Sequence, residues 1–357
     1  MKKISKVLII FIIPILTFLA IYTKSSNISA SALSNISSEI VIDVNSLRVL
    51  HQRNINKKMY MASTTKILTA ITIIENFDVN KEITVTKDSI GVEGSSIYLE
   101  EGEKLTIKHL LYGLMLRSGN DCAQTLAYHC GGDNFIDLMN KTAVKIGAVN
   151  SNFVNPHGLH DDNHYTTAYD LALISAYSMK NQTFREIVST KSIDIPFTTR
   201  NSKRRLINKN KMLSNFEGTT GIKTGYTKKA GRCLVSSCKR NGLELICVVL
   251  NCYNMWERSK ELLTNCFNEY KSYSILKKDN IVDFYTNSNN EKCGIIVEKD
   301  IILPLTKHEY ENIKIEIEYF NNLIKPIKKH SNIGIIKIFV ENNLLFTEKA
   351  YNIIGIK

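Results

Sequence analysis

Ser63-Thr64-Thr65-Lys66 opens a run, residues 63–76, that is apolar nearly all round. Such a run indicates a helix buried in a core. A spacing of three puts the serine and the lysine on one helical face, close enough to touch. Ser63 would sit in the first turn, where unpaired N–H groups and the positive end of the helix dipole favour a developing anion. Lysine accepts a proton from serine only when neutral, and burial beside another cation lowers its pKa. Alone, the four residues fit an N-cap serine with a surface lysine equally well. Ser118-Gly119-Asn120 offers a hydroxyl and an amide on a tight turn, able to relay a proton and hold a substrate amide; a plain helix terminator is the competing reading. Lys223-Thr224-Gly225 offers a cation and a hydroxyl on a strand, where glycine lets a peptide lie alongside and be met at its carboxylate. An edge-strand lysine that discourages aggregation is the plainer reading there.

These groups are carried on a recognisable succession of elements. Glu39–Asp43 is a short apolar alternation, and Leu47–Val49 resembles another strand piece. Lys81–Lys87 and Glu100–Leu105 bracket a polar, Gly-containing stretch of small strands and turns. Helices follow at Ile107–Arg117 and Asp121–Cys130 on either side of the Ser118-Gly119-Asn120 turn, then at Asn134–Ile146, closed by Gly147. Residues 150–167 form a polar loop rich in turn residues, and Ala168–Met179 returns to helix. Strands are expected at Ile193–Phe197, Gly221–Thr227, Arg232–Lys239 and Leu243–Asn251, then a helix at Glu257–Tyr270.

Asn241-Gly242 is a strong two-residue hairpin turn. It pairs Arg240 with Leu243, Ser236 with Cys247 and Cys238 with Leu245. Leu234 and Val249 then lie on one face, Val235 and Val248 on the other. A strand apolar on both sides is covered on both sides. From about Leu276, Lys, Asn and Ile dominate, and alternating strands recur at Gly294–Val297, Ile313–Tyr319, Ile333–Val340 and Leu344–Glu348, with a turn at Glu341-Asn342-Asn343.

The chain has 357 residues, 46 Lys+Arg against 34 Asp+Glu, and a formal charge of +12. With 44% hydrophobic and 22% charged residues, it is neither disordered nor fibrous. Lys2, Lys3 and Lys6 precede an apolar run from Val7 to Tyr22, and Ala30-Ser31-Ala32 offers small residues for cleavage. This is the pattern of a secretory signal peptide over residues 1–32; a retained membrane anchor is the alternative. Cleavage would remove four lysines and no acid, taking the charge from +12 to +8. A basic exported protein fits an anionic surface or polymer better than nucleic acid. The eight cysteines (122, 130, 233, 238, 247, 252, 266 and 293) lie beyond this segment. Cys238 and Cys247 share a hairpin face only diagonally, and Cys233 faces the other side, so buried free thiols are expected.

The three motifs occur in the order S-x-x-K, S-x-N, K-T-G, on helix, loop and strand, which is the signature of serine β-lactamases and penicillin-binding proteins. The chain most resembles the low-molecular-mass penicillin-binding proteins that are D-alanyl-D-alanine carboxypeptidases. Asn155-Pro156-His157-Gly158-Leu159, Thr166-Thr167-Ala168-Tyr169-Asp170, Gly221–Thr227 and Ala230-Gly231-Arg232 extend the resemblance over about residues 36–270.

It implies an α/β (α+β) sandwich of the β-lactamase/transpeptidase type, a mainly antiparallel sheet covered by helices, over residues 33–275. A small all-β domain follows over residues 276–357, which would hold the enzyme off the membrane or bind a partner. The resemblance makes Ser63 the acylated nucleophile and Lys66 its general base. Ser118 and Asn120 complete the proton relay and hold substrate. Lys223 and Thr224 engage the terminal carboxylate, beside Gly225, and the N–H groups of Ser63 and Tyr226 form the oxyanion hole. No cofactor and no metal are implied. The partners are a peptidoglycan stem peptide ending in D-Ala-D-Ala, and β-lactams as covalent inhibitors.

Class A β-lactamases have S-D-N and a deacylating glutamate. Here Gly119 replaces the aspartate, and residues 155–167 hold Asp161 and Asp162 but no glutamate. Peptide cleavage with slow β-lactam release follows. A non-catalytic wall-binding or β-lactam-sensing protein, and a D,D-endopeptidase acting on cross-links, are the rival readings. His157, His160 and His164 are left outside the site, as is the basic cluster Lys203, Arg204, Arg205, Lys209 and Lys211, either a solvated loop or an attractor of anionic polymer. The segment Tyr351–Lys357 is too short for an interfacial helix, so a soluble or peripherally membrane-associated enzyme is expected.

Overall fold

The structure is a computed structural model, described here for residues 37–286, 292–320 and 326–355. The signal-peptide reading of residues 1–32 lies outside the described residues. The chain opens on a hairpin, β1 (Ser38–Asp43) and β2 (Val49–Arg53), followed by a 3-10 turn, Ala62–Thr65, that runs straight into α1 (Lys66–Asn76). Short strands β3 (Glu82–Thr84) and β4 (Lys104–Thr106) pair and lead into α2 (Ile107–Tyr112), a π-helical turn (Gly113–Arg117), α3 (Asn120–His129) and α4 (Phe135–Ile146). Then come α5 (Ala168–Met179), α6 (Gln182–Ser189), the hairpin β5 (Ser192–Phe197) and β6 (Ser202–Ile207), and a single turn, α7 (Met212–Asn215). Strands β7 (Thr219–Thr227), β8 (Gly231–Arg240) and β9 (Leu243–Leu250) lead to α8 (Met255–Glu269).

The five-stranded sheet has the order β2-β1-β9-β8-β7, antiparallel throughout. Asn241 and Gly242 adopt φ 48 and φ 80, the left-handed pair a tight hairpin requires, and the register matches that read from the sequence: Arg240 with Leu243, Cys238 with Leu245, Ser236 with Cys247. The two faces go to different cores. Val235, Ile246, Val248 and Leu250 pack with Ile67, Ile71 and Ile174 of α1 and α5. Leu234, Leu245, Cys247 and Val249 pack with Leu262, Leu263 and Cys266 of α8. All eight cysteines are free, and all but Cys252 are buried.

α1 is rich in Ile and Thr, which are weak helix formers, and Lys66 through Ile73 are all buried. Tertiary burial rather than propensity holds it in place. Glu39 pins α8 to the sheet by accepting two bonds from Arg258, at 2.9 and 3.1 Å. Burial pushes its pKa up, but the neighbouring His51 and the bonded Arg258 guanidinium outweigh this and hold it at about 2.

The second β unit comprises β10 (Lys271–Leu276), β11 (Asp283–Thr286), β12 (Lys292–Ile296), β13 (Ile301–Leu305), α9 (Lys307–Glu311), β14 (Ile313–Tyr319), β15 (Asn332–Val340) and β16 (Asn343–Asn352). A pair, β10-β13, and a sheet, β11-β12-β16-β15-β14, share one apolar core that includes Leu303, Ile295 and Ile336. Arg48 links this unit to the first, donating to Glu309 and to the Pro304 carbonyl. Among the described residues no helix is long and apolar enough to cross a membrane.

Some details depart from the sequence reading. Leu47 has φ 60 and belongs to a turn in which Asp43 accepts from the Ser46 amide at 2.7 Å, so the strand expected at Leu47–Val49 runs instead from Val49 to Arg53. The basic cluster is no single patch. Arg204 forms a two-bond ion pair with buried Glu103, at 2.8 and 2.9 Å, and Arg205 pairs with Asp194 across β5-β6.

Candidate active site

Ser63 lies in the 3-10 turn, and neighbours hold that turn from several directions. Ala62, the first residue of the turn, has φ 48. Thr64 Oγ1 donates to the Met61 carbonyl at 2.6 Å, and Thr65 Oγ1 to the Ala62 carbonyl at 2.8 Å. His164 Nε2 stands 2.7 Å from Thr65 Oγ1. Since His164 Nδ1 accepts from the Val154 amide at 3.1 Å, the ring proton is on Nε2, and His164 donates to Thr65. Burial keeps this imidazole neutral by lowering its pKa to about 4. A β-carbon on Gly158 would stand 2.0 Å from the Ala62 carbonyl oxygen. On Gly225 of β7 it would stand 3.0 Å from the Ser63 nitrogen. Glycine is required at both positions because two backbones meet there.

Gly158→Ala therefore adds a steric clash to a φ of +87. It should destabilise the fold by about 2–4 kcal/mol, read by urea unfolding. A wild-type unfolding midpoint would contradict this packing.

Lys66 is fully buried. Its Nζ lies 3.2 Å from Ser63 Oγ, 2.7 Å from Asn120 Oδ1 and 2.5 Å from the His157 carbonyl oxygen. The last two partners only accept. A neutral amine has two N–H bonds and one lone pair, so those bonds are used and the lone pair is left facing the serine hydroxyl. Burial first, and the nearby Lys223 cation second, lower the Lys66 pKa well below the usual lysine value. After taking a proton, the ammonium has three donors for the same three partners.

The π-helical turn ends at Ser118, which takes the left-handed conformation (φ 65) and is buried. Asn120 opens α3. Its Oδ1 faces Lys66, its Nδ2 donates to the Glu93 carbonyl at 2.5 Å, and its own amide donates to the Ser95 carbonyl at 2.6 Å. A β-carbon on Gly119 between them would meet Asp121 Oδ1 at 2.7 Å and Cys122 Sγ at 2.9 Å. Asp121 is buried and accepts from the amides of Ile97 and Leu99, each at 3.1 Å, and from Ser96 Oγ at 2.6 Å. It thereby ties the 95–99 segment to the start of α3.

β7 is an edge strand, and its outer edge runs beside the Ser63 turn. Lys223 points inward and is 1% exposed, and its ammonium donates to the Thr224 carbonyl at 3.0 Å. Among the described residues it has no carboxylate partner. Burial, then the Lys209 cation, lower its pKa to about 7. Lys209 is itself held by Ser95 Oγ at 2.9 Å. Thr224 is half-buried, and the Tyr226 side chain is exposed.

The geometry thus joins Ser63, Lys66 and Asn120 directly, packs Gly225 on the Ser63 turn, and leaves Lys223 buried with no carboxylate partner among the described residues. Several contributors were not legible in the motifs: the His157 carbonyl, His164, Gly158 and Asp121. Residues 157 and 158 belong to the segment 155–159, but their contacts with Lys66 and Ala62 span more than ninety residues of chain. The imidazoles of His157 and His164 are both engaged, His157 Nδ1 accepting from the Leu159 amide at 3.2 Å and His164 bonding Val154 and Thr65.

Residues 25–254 match the family model of the D-alanyl-D-alanine carboxypeptidases. The chain belongs to that family. It is a serine-type D-Ala-D-Ala carboxypeptidase. Residues 270–353 of the carboxypeptidase match the C-terminal domain of penicillin-binding protein 5. The chain is 29% identical to the D-alanyl-D-alanine carboxypeptidase DacF of Bacillus subtilis over 97% of its own length and 92% of that protein's. It is 30% identical to DacA of Haemophilus influenzae over 83% and 78% of the two lengths. The crystal structure of penicillin-binding protein 5 from Haemophilus influenzae superposes with a TM-score of 0.77 at 25% identity, covering 89% of this carboxypeptidase and 96% of that chain.

Proposed function

We propose that this carboxypeptidase is exported and removes the terminal D-alanine from peptidoglycan stem pentapeptides through an acyl-enzyme on Ser63. The observation that carries the reading is the environment of Lys66: a buried amine 3.2 Å from Ser63 Oγ with its other two partners both acceptors. The substrate lies along the edge of β7, its carboxylate at Lys223 and Thr224. Ser63 Oγ attacks the carbonyl of the penultimate D-alanine while its proton passes to Lys66. The N–H groups of Ser63 and Tyr226 receive the oxyanion, which is usually the largest single contribution in such sites. The C–N bond breaks, the proton goes to the departing amine by way of Lys66 and Ser118, and Asn120 holds the substrate amide. Water then cleaves the ester, with the same groups taking and returning its proton.

β-Lactams enter as mimics of the substrate end and leave Ser63 acylated. Within residues 155–167 the acids are Asp161 and Asp162, with no glutamate, and both face solvent, which supports this outcome. Asp162 is exposed and accepts from Tyr60 Oη at 3.0 Å, while Asp161 is exposed and accepts from the Asn163 amide at 2.7 Å. Incubation with a D-Ala-D-Ala pentapeptide should release one free D-alanine per peptide molecule, over many turnovers of the enzyme. Binding without release would favour a sensing protein, and cleavage of cross-linked dimers alone would favour an endopeptidase. In the cell we place the enzyme outside the cytoplasmic membrane, with at most peripheral attachment that a salt wash disrupts. Release by detergent alone would indicate a retained N-terminal anchor.

The pH profile follows from two lysines with opposite requirements. Lys66 acts when neutral, so activity rises with pH through its lowered pKa. Lys223 binds carboxylate when charged, so kcat/KM of the free enzyme falls as pH rises through about 7. Bound carboxylate raises the Lys223 pKa, so kcat should hold to higher pH than kcat/KM. Lys223→Arg keeps its charge and should remove the alkaline limb of kcat/KM. A limb unchanged in that variant would assign it to another group.

A further inference from the structure

Beyond the carboxylate and acylation positions, the far end of β7 borders a cavity of about 530 Å³ lined by Tyr226, Gly231, Arg232, Asn251, Tyr253 and Met255. Tyr226 links it to the reaction centre, since its backbone N–H is assigned to the oxyanion and its side chain lines the cavity. Arg232 stands opposite Tyr226 in the β7–β8 register. Its guanidinium lies 5.0 Å from the ring centroid of Tyr253. Among the described residues Arg232 enters no ion pair. Tyr226 and Tyr253 are 64% and 79% exposed. Lys228 and Lys229 are exposed on the adjoining β7–β8 turn. Arg232 is the cation that lines the cavity, two lysines stand on the adjoining turn, and two aromatic rings are turned to solvent.

The polarity of a bound peptide decides what reaches this cavity. With its carboxylate at Lys223–Thr224 and its scissile carbonyl at Gly225–Tyr226, the peptide's amino-terminal part continues past Tyr226 toward Thr227. An extended chain advances about 3.3 Å per residue, so the residue before the acylated D-alanine comes level with the cavity. We propose that this cavity is the subsite for that residue's side chain, and that Arg232 selects side chains ending in a carboxylate. The class of ligand is a diamino dicarboxylic residue such as meso-diaminopimelate, rather than lysine. The guanidinium meets the terminal carboxylate in a charge-assisted bond, and the tyrosine rings cover the methylene stem and adjacent ammonium. Lysine offers only an ammonium to a rim that is already cationic.

The proposal rests on the acyl-enzyme reading above, and the test separates the two. Two synthetic pentapeptides, identical except for meso-diaminopimelate or L-lysine at the third position, are compared for D-alanine release by the full-length enzyme and by Arg232→Gln. Acylation by benzylpenicillin, which has no such side chain, is measured in parallel. The wild type should prefer the diaminopimelate peptide about tenfold or more in kcat/KM. Arg232→Gln should bring the ratio near one by lowering the diaminopimelate value, with lysine-peptide turnover and penicillin acylation unchanged. Equal use of both peptides by the penicillin-reactive wild type, a preference for lysine, or a preference surviving in Arg232→Gln overturns the subsite alone. Failure of penicillin to acylate the folded wild type overturns the underlying reading, and the subsite with it.

Discussion

Ser63→Ala is expected to lower D-alanine release by on the order of 10⁶-fold, as loss of the nucleophile does in serine hydrolases of other folds. The hydroxyl is the one atom removed, and the fold should not register it. Thr64 and Thr65 bond the turn to its own carbonyls, His164 braces Thr65, and Gly158 and Gly225 pack on its backbone. None of these contacts uses Ser63 Oγ. The variant should therefore unfold at the wild-type urea concentration and still bind peptide at Lys223 and Thr224. Unchanged turnover would transfer the chemistry to another residue.

Lys66→Met carries the second large effect. Methionine fills a similar volume without an amine, and loss of a positioned base costs about 10²–10⁴ in acylation rate. Because two acceptors, Asn120 Oδ1 and the His157 carbonyl, lose a buried donor, some stability should go as well, about 1–3 kcal/mol for each group left unpaired. A companion variant, Lys66→Arg, separates base from cation. Arginine stays protonated, so it should fail as a base by a similar factor. Penicillin acylation by Lys66→Arg near the wild-type rate would reduce Lys66 to an electrostatic support.

The central hairpin was readable in full because local rules set it. Asn241-Gly242 fixes the turn, and alternation fixes which face each residue meets, so Leu234 and Val235 could be assigned to opposite cores before either core was seen. The chemical motifs were readable for a similar reason, since each is a short segment whose spacing matches one element. What escaped was set at long range. β6 reads as a charged loop because its cations dominate, while Glu103, the partner that buries Arg204, is 101 residues away. β13 contains Pro304, which speaks against a strand until β13 is seen to be an edge strand paired with β10 alone among the described residues, where proline is tolerated. α6 did carry a signal, with Asn181 capping the Phe184 amide and Phe184, Ile187 and Val188 on one face. His164 and Gly158 looked like loop residues and pack on the Ser63 turn across about a hundred residues of sequence.

The most direct test is mass spectrometry of the full-length chain after brief incubation with benzylpenicillin, followed by peptide mapping, with Ser63→Ala alongside. One adduct per chain, located on Ser63 and missing from the alanine variant, is the expected result. A folded wild-type protein that carries no adduct, or carries it on another residue, would contradict acylation at Ser63 and with it the assigned roles of Lys66, Ser118 and Asn120.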